Sequence, residues 1–271
     1  MAFKKYLEER EFKPNTINTY TTIIIQYITW FRANKDKEFD DFLLRGDFLS
    51  FKEFLEEVRE NAPASLKLKT IAMKHFNEFL LLQKAQTNKV IFKSDNINLY
   101  RSTFDTYIPS AEEVAQFVRD IYENRKLRDY VIVKVLVETG IKISEAVNLK
   151  KESISYGNKI LYIYNHNTIT RTIPLSQELV DLLLEYMRTR KVDSDYLFVN
   201  TYGKPICRSR VNQIFKMHSK EITPQSLRHY YCIRRIEAGE SLNEIMKCLG
   251  NTSVQFMKKY EQLVLIQTMN K

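Results

Sequence analysis

Glycine and proline are scarce, six of each in 271 residues. That scarcity speaks against a propeller, a Gly-rich nucleotide-binding fold and a linker-rich scaffold. Three cysteines, Cys207, Cys232 and Cys248, make no even framework and no C-x-x-C pair. Neither a disulfide scaffold nor a zinc ribbon is expected, and the thiols read as packing residues. No apolar run reaches the roughly 18 residues of a membrane span, and the N-terminus lacks the apolar core of a secretory signal. The expectation is a soluble, cytoplasmic protein with no membrane partner.

What is present suits two domains. Hydrophobic residues make up 44% of the chain, enough for a core in each half. The net charge is +9, and residues 101–271 carry most of the excess, with 26 basic against 19 acidic side chains. Such a balance fits a nucleic-acid partner; solubility alone is the blander explanation.

The first hundred residues show helical periodicity. Phe3–Glu9 predicts a short helix. Asn15 or Thr16, after Pro14, can cap a longer one carrying Ile17, Tyr20, Ile24, Tyr27 and Phe31 on one stripe. Phe39–Leu44 and Phe48–Val58 read as shorter helices, the second with Phe51, Phe54, Leu55 and Val58 on one face. Pro63 and Ser65 introduce another, with Leu68, Ile71, Ala72, Phe76, Phe79 and Leu80 at helical spacing. Periodicity fades over 84–107, which reads as a linker between domains 1–83 and 108–271. Ser110 and Glu113 form a capping signature for a helix running to about Asn124, and the apolar Leu127–Glu138 reads as a buried helix. Ser153–Ser155, Ile160–Tyr164 and Thr168–Ile173 are short β-type runs, the last two joined by turn residues 165–167. Helices resume over 176–189, 208–218, 224–238, 242–249 and 253–260. The fold class is therefore mostly α with a small antiparallel sheet.

Three segments carry a resemblance: Glu138-Thr-Gly-Ile-Lys-Ile-Ser-Glu-Ala-Val-Asn-Leu149, Thr223-Pro-Gln-Ser-Leu-Arg-His-Tyr-Tyr-Cys232, and Leu249-Gly-Asn-Thr-Ser-Val-Gln-Phe-Met-Lys-Lys-Tyr260. In order and spacing they resemble the tyrosine recombinases, the phage integrases and Xer-type resolvases. The resemblance spans nearly the whole chain. It implies an N-terminal helical core-binding (SAM-like) domain, a C-terminal catalytic-type domain and double-stranded DNA as partner. It also implies a chemistry without metal or cofactor. A tyrosine attacks a DNA phosphate, two arginines hold the non-bridging oxygens, a hairpin lysine protonates the leaving 5′ oxygen, and His or Lys and His or Trp complete the site. Arginine suits that work because its planar fork grips phosphate bidentately and stays charged.

Carried over residue by residue, the pattern is partly broken. Lys142 stands for the first arginine, His166 for the hairpin lysine, Gln225 for the His or Lys before the second arginine, and Asn251 for the His or Trp. Arg228, the second arginine, and Tyr260, the nucleophile, match. Lysine keeps charge but loses the fork, histidine is an uncertain acid at pH 7, and neither amide relays protons. Removing one preorganised donor costs about 10²–10³ in rate, and losing a general acid about 10²–10⁴.

The expected function is sequence-specific DNA binding with lost or weak strand cleavage, as a repressor, accessory or architectural factor. An origin in a phage or mobile element fits. The alternative is an active site-specific recombinase using Tyr260, and an RNA partner is a weaker third. Lys142, Arg228, Arg234, Arg235, Lys258 and Lys259 are candidate DNA contacts, the last four equally readable as solvated faces. Glu145 is expected to pair with Lys142 or Arg228, and His229 to be a satisfied core histidine. The apolar Leu263–Ile266 in the tail is expected to dock on a neighbouring protomer; the alternative is that it folds back onto its own domain.

Overall fold

The computed structural model describes residues 2–96, 107–124, 126–165, 168–250, 257, 258, 260–262, 264 and 265. The chain divides into two compact units, Met1–Thr103 and Phe104–Lys271.

The first unit packs α1 (Ala2–Glu9), α2 (Pro14–Lys35), α3 (Arg45–Glu53) and α4 (Pro63–Leu82) around an aromatic core. Tyr27 lies edge-on to Phe39 and Phe51, and Phe3 edge-on to Phe76. Three local expectations change. Helix α2 begins at Pro14 with Lys13 as its N-cap, because proline at N1 needs no N–H partner; Asn15 and Thr16 lie inside it. Residues 39–44 are not helical. Leu43 still enters the core, its backbone N–H and C=O both held by the Gln86 side chain, at 3.2 and 3.0 Å. Beyond Glu53 the helix widens into a π-turn, Phe54–Val58, which rotates Val58 out of the apolar face to 68% exposure.

Residues 84–96 belong to this unit. Asn77 accepts the Val90 and Ile91 N–H groups, Ile91 is buried, and Arg45 grips Asp95 with two bonds of 2.6 and 2.7 Å. A polar, aperiodic stretch can thus be fixed by side chains far away in sequence. The division between units falls at Thr103/Phe104, inside the 84–107 stretch read as a linker.

The second unit places α6 (Leu127–Thr139) at its centre, packed by α5 (Ala111–Glu123), α8 (Gln177–Thr189) and α10 (Pro224–Glu237). Val131, Ile132, Val133, Val135 and Leu136 are buried all round α6, as its continuous apolar run predicts. Ser110 and Glu113 cap α5 reciprocally. The short α7 (Ile143–Ala146) follows α6. An antiparallel sheet comes next, in the order β1 (Ile154–Ser155), β2 (Ile160–Asn165), β3 (Thr168–Pro174), with Ile163 opposite Arg171. Helices α9 (Arg208–His218) and α11 (Leu242–Leu249) lie further along the chain, and residues 257, 258, 260–262, 264 and 265 are helical. The fold class is as the sequence predicts: mostly helical, with one small antiparallel sheet.

Candidate active site

The site grows from the end of α6. Gly140 closes that helix in the left-handed region, at φ 60°, and a Cβ there would stand 2.4 Å from the Tyr231 ring, so only glycine fits. The chain then turns into α7 with Lys142 as N-cap. The Lys142 backbone N–H donates to Glu145 Oε2 at 2.8 Å, while its side chain is exposed.

Glu145 pairs neither with the Lys142 ammonium nor directly with Arg228. Arg171 on β3 takes it bidentately, Nη1 to Oε1 at 3.0 Å and Nη2 to Oε2 at 2.7 Å, and donates Nε to the Cys248 carbonyl at 2.6 Å. Burial opposes ionisation of Glu145, but the Arg171 bonds and the Lys142 N–H outweigh it and hold the carboxyl below the usual carboxylate range. Gly250, at φ 63°, lets the end of α11 pass the Arg171 guanidinium.

Helix α10 supplies the rest. Thr223 and Ser226 cap it reciprocally, and Pro224 occupies its first turn. Gln225, Arg228, His229 and Cys232 then recur at helical spacing on one face. Arg228 is buried; Nη1 donates to the Gly140 carbonyl at 2.7 Å and Nη2 to the Leu249 carbonyl at 2.8 Å. Its guanidinium thereby joins the ends of α6 and α11. Burial lowers its affinity for its proton, and Glu145 nearby works the other way.

Tyr260 is only 1% exposed. It belongs to a buried cluster with Tyr231, Cys232, Ile233, Ile245, Leu249 and Met257, and its hydroxyl is hydrogen-bonded to His229 Nδ1. The other ring nitrogen, Nε2, lies 3.1 Å from the Gln225 amide nitrogen. Burial, then the Arg228 charge, pushes the His229 imidazole down to about 4, so it is neutral at pH 7. Burial and the adjacent Cys232 thiol push the Tyr260 phenol well above its ordinary value.

A buried tyrosine hydroxyl, an arginine three residues from a hydrogen-bonding side chain on one helix, and a left-handed glycine closing the helix before them make a defined constellation. The profile of the Phage integrase family matches residues 109–264, more than half the chain. The chain belongs to the phage integrase family. It is similar over its whole length to the TnP I resolvase of Bacillus thuringiensis, 29% identical with 99% of this chain and 96% of the relative covered. It is likewise similar to the tyrosine recombinase XerC of Roseiflexus sp. (strain RS-1), 26% identical with 97% and 88% covered. Among solved structures, a lambda integrase(75-356) dimer bound to a COC' core site superposes with a TM-score of 0.75 at 16% identity. It covers 96% of this chain and 92% of that one. The likeness to that structure is one of fold.

Measured against the phage integrase pattern, the site residues divide clearly. Gln225 and Tyr260 come together through His229, and the Arg228 charge acts on both His229 and Tyr260. Lys142 contributes its backbone to the Glu145 carboxylate and leaves its ammonium in solvent. His166, Asn251 and Lys259 lie outside the described residues. Arg234 pairs with Glu237 at 2.8 Å, and Arg235 is tied to Glu240 and lies over the Tyr231 ring. Of the expected DNA contacts, Lys258 is exposed. In the tail, Val264 packs on the domain's own Tyr260 cluster, the fold-back alternative at that residue; Leu263 and Ile266 are outside the described residues.

His229 is the satisfied core histidine that the sequence predicts, 4% exposed with both ring nitrogens partnered, and only the fold brings it to Tyr260. Arg171 is a residue of the site that the sequence reading does not single out. Arg171 did leave a signal. It sits two positions before the buried Ile173 on the same face of β3, and an arginine facing inward demands a carboxylate.

Proposed function

We propose that this phage integrase family member binds a specific double-stranded DNA site, with strand cleavage lost or strongly slowed, and acts as a repressor, accessory or architectural factor. The observation that carries this reading is where the substitutions fall. The scaffold of the site is well formed, with Gly140 and Gly250 in the left-handed region, α10 capped and Glu145 bound bidentately by Arg171, whereas positions 142, 166, 225 and 251 all depart from the residues that stabilise charge or move protons. Lys142 offers a point charge from solvent, and His229, neutral with its imidazole near 4, is a weak base for a phenol held above its ordinary pKa. By the costs of about 10²–10³ for a lost donor and about 10²–10⁴ for a lost acid, these departures slow cleavage by about four orders of magnitude.

The second reading, a working recombinase, is favoured by one observation: Tyr260 and Arg228 match the family residues, and the Arg228 charge acts on the Tyr260 phenol. A nicked suicide duplex separates the two. The preferred target is first selected from random duplexes, then incubated with the chain, and covalent adduct is scored on a denaturing gel. No adduct is expected, and Tyr260→Phe should leave affinity for the selected site within about two-fold, since only one hydroxyl is lost. A Tyr260-dependent adduct would promote the recombinase, and Lys142→Arg should then increase its yield.

A further inference from the structure

Tyr260 is not merely packed; it is held at its polar end by a chain of side chains from a single helix. The Gln225 amide nitrogen faces His229 Nε2 at 3.1 Å and donates to it. That bond fixes the tautomer with the proton on Nδ1, the nitrogen in contact with the Tyr260 hydroxyl. The phenol can then direct its own proton toward Cys232, whose thiol lies against it. His229 is 4% exposed and Cys232 1%. A phenol oxygen so enclosed cannot meet a phosphate without first leaving this pocket.

We propose that His229 is the positioning residue of Tyr260: bridging Gln225 and the phenol through its two ring nitrogens, it holds Tyr260 shut inside the domain. Departure of Tyr260 from His229 is the opening step of the site. It precedes any reaction with DNA and occurs whether or not a strand is ever cut. The inference therefore goes beyond the proposed function and does not depend on it. His229 acts on Tyr260 by hydrogen bonding, not by packing alone. That distinction is testable because asparagine can present an amide N–H where Nδ1–H stands, whereas leucine fills similar space without a donor.

Cys232 is the reporter, since it is shielded while Tyr260 is in place. The experiment uses the full chain carrying Cys207→Ser and Cys248→Ser, so that Cys232 is the one thiol. Its alkylation by iodoacetamide is followed by mass spectrometry at fixed pH. In this background His229→Leu should label about ten-fold faster, the effect of losing one buried hydrogen bond on a local opening equilibrium. His229→Asn should stay within about three-fold of the parent. Tyr260→Phe, which leaves His229 untouched, should also label faster and provides the same reading if the leucine variant does not fold. Amide exchange in α5 and α8 reports whether the rest of the domain is unchanged. Parent-like labelling in both His229→Leu and Tyr260→Phe overturns the proposal, and so does a His229→Asn variant as fast as His229→Leu.

Discussion

At the scale of single residues, burial sets the chemistry of this site more than residue type does. An exposed histidine near pH 7 shares a proton with solvent; His229, enclosed beside Arg228, loses its proton down to about 4. The consequence for stability has a definite sign. Between the ordinary histidine value of 6.5 and about 4, the unfolded chain binds a proton at this position and the folded chain does not. Stability from His229 is thus complete above pH 6.5 and is lost as the pH falls toward 4. Going from pH 7 to pH 5 should cost about 2 kcal/mol through this group alone. Urea unfolding of the parent and of His229→Asn at the two pH values checks it: the parent should lose more stability by that amount. Equal losses in the two proteins would place the acid sensitivity elsewhere, with the half-buried His75 next to be examined, since burial lowers it too.

Among the elements, the close approaches are made by helix ends. Helix α6 stops at Gly140, α11 at Leu249-Gly250, and Arg228 of α10 donates to a carbonyl at each. These carbonyls are the groups a helix leaves unpaired at its C-terminus, and a buried guanidinium satisfies both. The arrangement leaves no room at Gly140, where an added Cβ meets Tyr231. Gly140→Ala should therefore destabilise the domain by about 2–4 kcal/mol, combining left-handed strain with overpacking. Gly46→Ala in the first turn of α3 meets nothing within 4 Å and should be neutral or stabilising by up to about 1 kcal/mol. Thermal unfolding of the two variants tests the contrast. The same scale explains the π-turn at Phe54–Val58: it breaks the register that sequence spacing assumes, and Val58 turns to solvent.

For the whole molecule, the net charge of +9 bears directly on the proposed DNA binding. If several phosphates are neutralised, affinity should fall by about 10³–10⁵ between 50 and 200 mM salt, for roughly 6–10 contacts. Fluorescence anisotropy with the selected duplex and with an unrelated one measures this. Both slopes should be steep, with the selected site retaining its advantage. A flat response would argue that the basic excess serves solubility, the other reading its composition allows. The two units each carry a separate hydrophobic core, so they are expected to unfold as distinguishable bodies.

The amino-acid sequence by itself determined most of the helices and the strands that pair, because periodicity and caps are local; residues 39–44 and the π-turn at Phe54–Val58 are where local pattern misleads. The Ser110–Glu113 capping box, the apolar run of α6 and the pairing of β2 with β3 all follow from neighbours in the chain. The resemblance carried by its motifs also pointed to Arg228 and Tyr260. What only the tertiary structure decided is which side chains those positions meet. Arg171 reaches Glu145 across 26 residues, His229 reaches Tyr260 across 31, and Gln86 and Asn77 bind residues 43 and 90–91 to fix a stretch that reads as linker. Such pairings depend on how helices and strands pack, and packing is set by the summed burial of many residues rather than by any local pattern.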